Sequence, residues 1–159
     1  MCYKMIMRAG TVRPTVPFYK GELMEPIQWS EKFSVGVKEL DEQHQQLIKM
    51  LNHLISTRES TNTHSETISD VLQEMTQYAQ KHFKTEESLL KQYGYPGLEQ
   101  QKEEHLAYRL KTVDFSDATM LSIETVPEKL LAYLFDWWTH HILNEDMKYK
   151  SFFAEKGVK

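Results

Sequence analysis

The stretch "KLLAYLFDWWTHHILNEDMKYKSFF" (129–153) reads as a long helix, strongly apolar on one side, with a slip in the middle. Before the slip the inward positions are Leu130, Leu134, Trp137 and His141; after it they are Ile142, Asp146, Tyr149 and Phe153. Spacings of three and four mark one face of an α-helix. His141 and Asp146 stand five apart, and in a straight helix the fifth residue lies roughly 140° away around the axis. One extra residue in that turn, a π-bulge, would bring both inward, and such bulges are frequent at functional sites. The bland alternative is a solvent-facing Asp146 near a helix end.

Three more helical segments precede this one. The first starts near Asp41, read as an N-cap, and runs "DEQHQQLIKMLNHLIST" (41–57), with Leu40, His44, Leu47, Ile48, Leu51, Leu54 and Ile55 inward. A polar loop is expected over "RESTNTHSE" (58–66), with Thr63 and Glu66 as a capping box for the second helix. That helix carries Ile68, Val71, Leu72, Met75, Tyr78, Ala79, His82, Glu86, Leu89 and Leu90 on one stripe. "YGYPG" (93–97) breaks the chain, since Gly and Pro punctuate helices. The third helix puts Leu98, Gln101, His105, Tyr108 and Thr112 on one face, and 114–124 reads as an irregular connection. Thr125 and Glu128 form a second capping box, with Pro127 in the first turn, where proline is tolerated. Four helices with short links predict an all-α, antiparallel up-down four-helix bundle over residues 26–155. Residues 1–25 lack periodicity and read as an irregular arm, with Met24 an alternative start.

The chain has 159 residues, which suits one domain. Its net charge of -4 argues against nucleic acid as a partner. With Cys2 as the one cysteine, neither an internal disulfide nor a thiolate zinc site is expected. No run is long enough to span a membrane and the first residues lack the apolar stretch of a secretion signal, so a cytoplasmic protein is expected. The chain ends soon after the last helix at "AEKGVK", so no attached output domain is expected.

The chemistry lies in what occupies the inward stripes. Of seven histidines, His44, His82, His105 and His141 each fall on a different helix at a position that is otherwise apolar. One such histidine is usually a hydrogen-bonded core residue; four converging on one region would need four separate partners. Glu86 lies one turn after His82 on the same face. A buried carboxylate is costly unless neutralised, and a bound cation neutralises it. Imidazole and carboxylate without thiolate suit iron, manganese or zinc.

These residues resemble the hemerythrin family, in particular its bacterial single-domain form. The resemblance covers about residues 27–155 and rests on "WSEKFSVGVKELDEQH" (29–44), "HFKTEE" (82–87), "YPGLEQQKEEH" (95–105) and "HILNEDMKYKSFF" (141–153). It implies a cofactor of two non-haem iron ions with an oxo or hydroxo bridge, and dioxygen as the partner. It implies Glu86 and Asp146 as bridging carboxylates, His44 and His82 on the iron with an open place for dioxygen, and His105 and His141 on the other. Where the family has a further histidine on that second iron, this chain has Gln101. The resemblance also implies an apolar oxygen pocket at Phe83, Leu98, Trp137 and Ile142, residues that equally serve as core packing.

Gln101 leaves three outcomes open. It ligates through its amide oxygen, a weaker donor than imidazole; it stands off and leaves a water or an empty place; or another group replaces it. His140 is a poor replacement, about 100° around the helix from His141. The expected function is reversible dioxygen binding for storage, delivery or scavenging, a binding role rather than an enzyme, with no nucleophile–base pair in sight. The alternatives are an oxygen-activating enzyme, or an oxygen or redox sensor, with an open iron site at Gln101.

Overall fold

The computed structural model describes residues 26–59, 65–121 and 126–159, without the side chains of 57–59, 65–68, 126–128, 131 and 139. The arm expected at 1–25, both capping boxes and the Ile68 side chain lie outside the described residues. A single 3-10 turn, Glu31–Phe33, precedes α1 (Lys38–Glu59), α2 (Ser65–Tyr93), α3 (Leu98–Met120) and α4 (Val126–His140). A π-helical segment, His141–Asp146, follows α4 and passes without a break into α5 (Met147–Glu155). The described residues contain no strand, and none of their helices is long and apolar enough to cross a membrane.

The helices form a closed ring: α1 packs on α2 and α4, and α3 packs on α2 and α4. Paired contacts fix the direction of two neighbours. Rising numbers along α2 meet falling numbers along α3, through Phe83 with Tyr108 and Glu87 with His105. Likewise Phe115 meets Tyr133, Tyr108 meets Trp137 and His105 meets His141, so α3 and α4 are antiparallel.

The expected helix limits shift in three places. The first helix begins at Lys38, so Asp41 sits inside its first turn and is not the N-cap. Its carboxylate reaches back to accept from the Ser34 hydroxyl and from the Val35 N–H at 2.8 Å, tying the preceding turn to the helix. Both ends of the polar run 58–66 are helical, since α1 continues to Glu59 and α2 starts at Ser65, and its middle, 60–64, lies outside the described residues. The third helix continues through the stretch expected to be irregular, as far as Met120. Phe115 extends its buried face, and the hydroxyls of Ser116 and Thr119 donate to the carbonyls of Thr112 and Phe115 one turn back. Side chains satisfied in that way keep polar residues inside a helix.

The break at 93–97 is a helix C-cap of the Schellman type. Gly94 has φ 71°, its N–H donates to the Lys91 carbonyl, and the Tyr95 N–H donates to the Leu90 carbonyl at 2.8 Å.

The core is built in three layers. A large apolar cluster contains Leu47, Ala79, Phe83, Tyr108 and Ile142, and a smaller one contains Leu40, Leu90 and Tyr149. Between them lies a layer of buried polar groups: His44 on α1, His82 and Glu86 on α2, Gln101 and His105 on α3, and His141 and Asp146 on the π segment.

Gly94→Ala tests the α2 C-cap. No atom lies within 4 Å of an added Cβ, so the cost is backbone strain alone, about 1–2 kcal/mol in the left-handed region. Urea denaturation of the variant is expected to show that loss; an unchanged midpoint would mean the turn relaxes to another conformation.

Candidate metal centre

The four helices deliver the polar layer in register. His82 and Glu86, like Gln101 and His105, stand one turn apart and so share a face. On the fourth helix the five-residue interval between His141 and Asp146 is taken up by the π segment, whose wider turn points both residues inward. His44, His82, Glu86, His105, His141 and Asp146 are all 0% exposed, and Gln101 is 2% exposed.

Each carboxylate spans two imidazoles. Glu86 places Oε2 3.3 Å from His82 Nε2 and Oε1 3.6 Å from His105 Nε2. Asp146 places Oδ2 3.3 Å from His44 Nε2 and Oδ1 3.2 Å from His141 Nε2. Ligand atoms of His82, Glu86, His141 and Asp146 all lie within 4.8 Å of one another. Among the imidazoles, His44 lies beside His82 with ring centroids 5.0 Å apart, and His105 beside His141 at 5.1 Å. Each carboxylate therefore reaches one member of each histidine pair.

Most of the atoms that face one another here have no hydrogen-bond partner: Nε2 of all four histidines, Glu86 Oε1, Asp146 Oδ2 and Gln101 Oε1. Buried polar atoms are ordinarily satisfied, and leaving several orphaned in one place is costly. Cations among them would take up these lone pairs together, and the nitrogen and oxygen donor set suits iron, manganese or zinc.

The electrostatics favour the metal-ready form of the imidazoles. Burial holds His82 well below the usual histidine value, His105 at about 3 and His141 at about 4. Their nitrogens are thus unprotonated near neutral pH, as ligation requires. Burial, reinforced by the charge of Asp146, raises Glu86 well above the usual carboxylate range. Burial also pushes Asp146 upward, but His141 and His44 outweigh it, and its carboxyl ends below its ordinary value.

A second set of groups orients the layer. His82 Nδ1 meets Gln43 Oε1 at 2.9 Å, and Gln43 Nε2 in turn donates to Thr85. His105 Nδ1 meets Glu87 Oε1 at 2.8 Å, and Arg109 pairs with the same carboxylate at 3.4 Å. Both partners are acceptors, so each Nδ1 is assigned as the donor, which leaves Nε2 as the free lone pair facing Glu86. Tyr149 donates its hydroxyl to Glu86 Oε2 at 3.3 Å. The sequence reading did not single out Gln43 or Glu87 and gave Tyr149 no role. Gln43 and Glu87 directly adjoin His44 and Glu86, yet their contacts cross between helices.

Gln101 lies beside Asp146, with Nε2 donating to Oδ1 at 3.1 Å. His140 is outside the layer and half-exposed, 3.8 Å from Glu145, whose buried carboxylate accepts from Gln100 and Lys148. Of the four pocket residues, Phe83 stacks on His105 at 3.8 Å, Trp137 stacks on His141 at 4.4 Å, and Ile142 joins the same large cluster. Leu98 is only half-buried and packs with the smaller cluster, across the polar layer from the other three.

Comparison with known proteins follows the same outline. Residues 35–153 match the family described as Hemerythrin HHE cation binding domain. The chain is 27% identical over 126 residues to the bacteriohemerythrin of Stenotrophomonas maltophilia (strain R551-3), covering 79% of this chain and 80% of that protein. It is 31% identical over 125 residues to the hemerythrin-like protein of Naegleria gruberi, covering 79% and 92% respectively. It is 30% identical over 129 residues to the myohemerythrin of Theromyzon tessulatum, covering 81% and 95%.

Two predictions follow from the geometry. In the metal-free protein, histidines held below 6.5 bind protons more readily when unfolded, so stability falls as pH drops from about 6.5 toward 4.5. Asp146, held low, loses stability on acidification too, whereas Glu86, held high, loses it as pH rises and so opposes the trend. The urea midpoint of chelator-treated protein is expected to fall over that range, and more steeply in Glu86→Gln; a flat profile would contradict the assignment. Separately, Glu87→Ala removes the acceptor that orients His105 and is expected to weaken zinc binding by about 10–100-fold in calorimetric titration.

Proposed function

The chain belongs to the hemerythrin family, and on that premise we propose that it binds dioxygen reversibly at two non-haem iron ions held in the buried polar layer. The observation that carries this reading is the reach of each carboxylate to one histidine of each pair. Two cations sharing the two carboxylates would use all of these contacts, whereas one cation would leave half of them unused. His44, His82, His105 and His141, with Glu86 and Asp146 shared between the two histidine pairs, would hold the iron. Iron, once bound, supplies the redox chemistry of dioxygen binding. The surrounding side chains do the rest. Phe83, Trp137 and Ile142 keep water away from the layer on one side, with Leu98 packing on the other. Gln43 and Glu87 fix the tautomers of His82 and His105, and Tyr149 holds a proton toward Glu86. In this reading residues 26–155 are the iron-binding bundle, and the protein is a cytoplasmic store, carrier or scavenger.

Gln101 favours a second reading. Its amide lies beside Asp146, near His141, and its Oε1 is buried without a partner. That oxygen either ligates the second iron weakly or leaves a place open, which suits an oxygen-activating enzyme or an oxygen sensor.

Absorption spectra separate the two. Anaerobic ferrous protein exposed to dioxygen is expected to develop a band that fades on purging with argon and returns with fresh dioxygen. Rapid one-way bleaching with consumption of an added reductant would replace the carrier with the enzyme. Gln101→His is expected to raise retained iron and to lengthen the lifetime of the oxygenated form roughly tenfold, as restoring a strong ligand should. No change in either quantity would make the glutamine a neutral departure.

A further inference from the structure

The helix α3 is apolar on two sides. Its inner face buries His105, Tyr108, Thr112 and Phe115. Its outer face carries Leu106, Leu110, Val113 and Met120, with Leu121 following at the C-cap; these are 54% to 84% exposed and are the exposed large hydrophobic residues among those described. Leu106, Leu110, Val113, Asp117 and Met120 follow one another at intervals of four, three, four and three, the spacing of a helix seam that packs against a second helix. A stripe of this kind on a charged chain marks an interaction site.

The charges beside the stripe identify the occupant. Lys111 pairs with Asp114 on the same helix at 3.3 Å, which leaves half-exposed Arg109, with one edge of its guanidinium on Glu87 at 3.4 Å, before Val113 and Asp117 after it. The pattern is therefore complementary to itself only when reversed. We infer that the outer face of α3 pairs with the same face of a second copy of this chain, antiparallel, about a two-fold axis near Val113. That axis sets Val113 against Val113, Leu106 against Met120 and Arg109 against Asp117 of the second copy. Parallel pairing would set like charges side by side. An anionic membrane is a poor alternative, because acidic residues outnumber basic ones along α3 and membrane-surface helices are rich in Lys and Arg. The seam is one helix wide and about 22 Å long from Leu106 to Leu121. A seam of one helix is narrow beside the roughly 800 Å² per partner of a standard interface, so a weak dimer is expected.

Sedimentation equilibrium of the full chain, from about 1 µM to about 1 mM, tests this. A monomer–dimer equilibrium is expected, and Leu110→Glu is expected to weaken it at least about tenfold while helical content and metal content stay unchanged. In a Cys2→Ser background, Val113→Cys is expected to form a cross-linked dimer under mild oxidation, because the axis brings the two copies of that residue together. A monomer across the whole range overturns the inference. A dimer that Leu110→Glu leaves intact, or that Val113→Cys does not cross-link, places the contact elsewhere and overturns it too. None of these readouts depends on iron or dioxygen, so they stand apart from the functional reading.

Discussion

The structure turns on the burial of ionisable groups. Four imidazoles and two carboxylates sit at zero exposure between two apolar clusters. Removing a single ion from water costs several kcal/mol even after relaxation. The entire stability of a domain is about 5–15 kcal/mol. Hydrogen bonds reach only part of this layer, and the unpartnered carboxylate oxygens, Asp146 Oδ2 and Glu86 Oε1, face the unpartnered nitrogens of His44 and His105 at 3.3 and 3.6 Å. A cation-filled layer makes the arrangement self-consistent, because neutral imidazoles donate lone pairs and the carboxylates supply compensating charge. The helical ring then acts as a frame that holds four faces at one height.

The same constraint explains the irregularity of the last helix. A regular α-helix cannot point both His141 and Asp146 inward across an interval of five. The π segment can, and it covers those residues from first to last. Glu145, tied from outside by Gln100 and Lys148, and Gln101, tied to Asp146 from α3, brace the wide turn against its neighbour. A local departure from regular α-helix geometry is thus held by contacts on both sides.

Much of this was legible in the sequence, for a physical reason. A helix face has a period, so a histidine on an apolar stripe is visible as an exception, and so is the slip between His141 and Asp146. The all-α class followed from the same periodicity, and the break at 93–97 from its glycines and proline. What escaped was either non-local or masked by composition. Gln43 and Glu87 act across helices, and no spacing within one helix reveals a partner on another. The polar run 114–120 reads as loop because its hydroxyls are polar, yet those hydroxyls are satisfied within the helix. Asp41 has the composition of an N-cap, but the helix starts one turn earlier and its carboxylate works backward. Leu98 sits on the correct face at a height that places it with the smaller cluster, a distinction the period alone does not carry.

Family membership and geometry meet at Gln101, the one polar member of the layer that is neither imidazole nor carboxylate. Its amide is held by Asp146, so the departure is built into the site and is not a surface change. The central claim remains that this layer exists to hold cations. The most direct test is metal analysis of freshly purified, folded protein by plasma mass spectrometry. The account predicts between one and two iron ions per chain, the shortfall from two reflecting the weaker hold at Gln101. A folded, fully helical chain that carries no metal, and takes up none when ferrous iron is added, would contradict it.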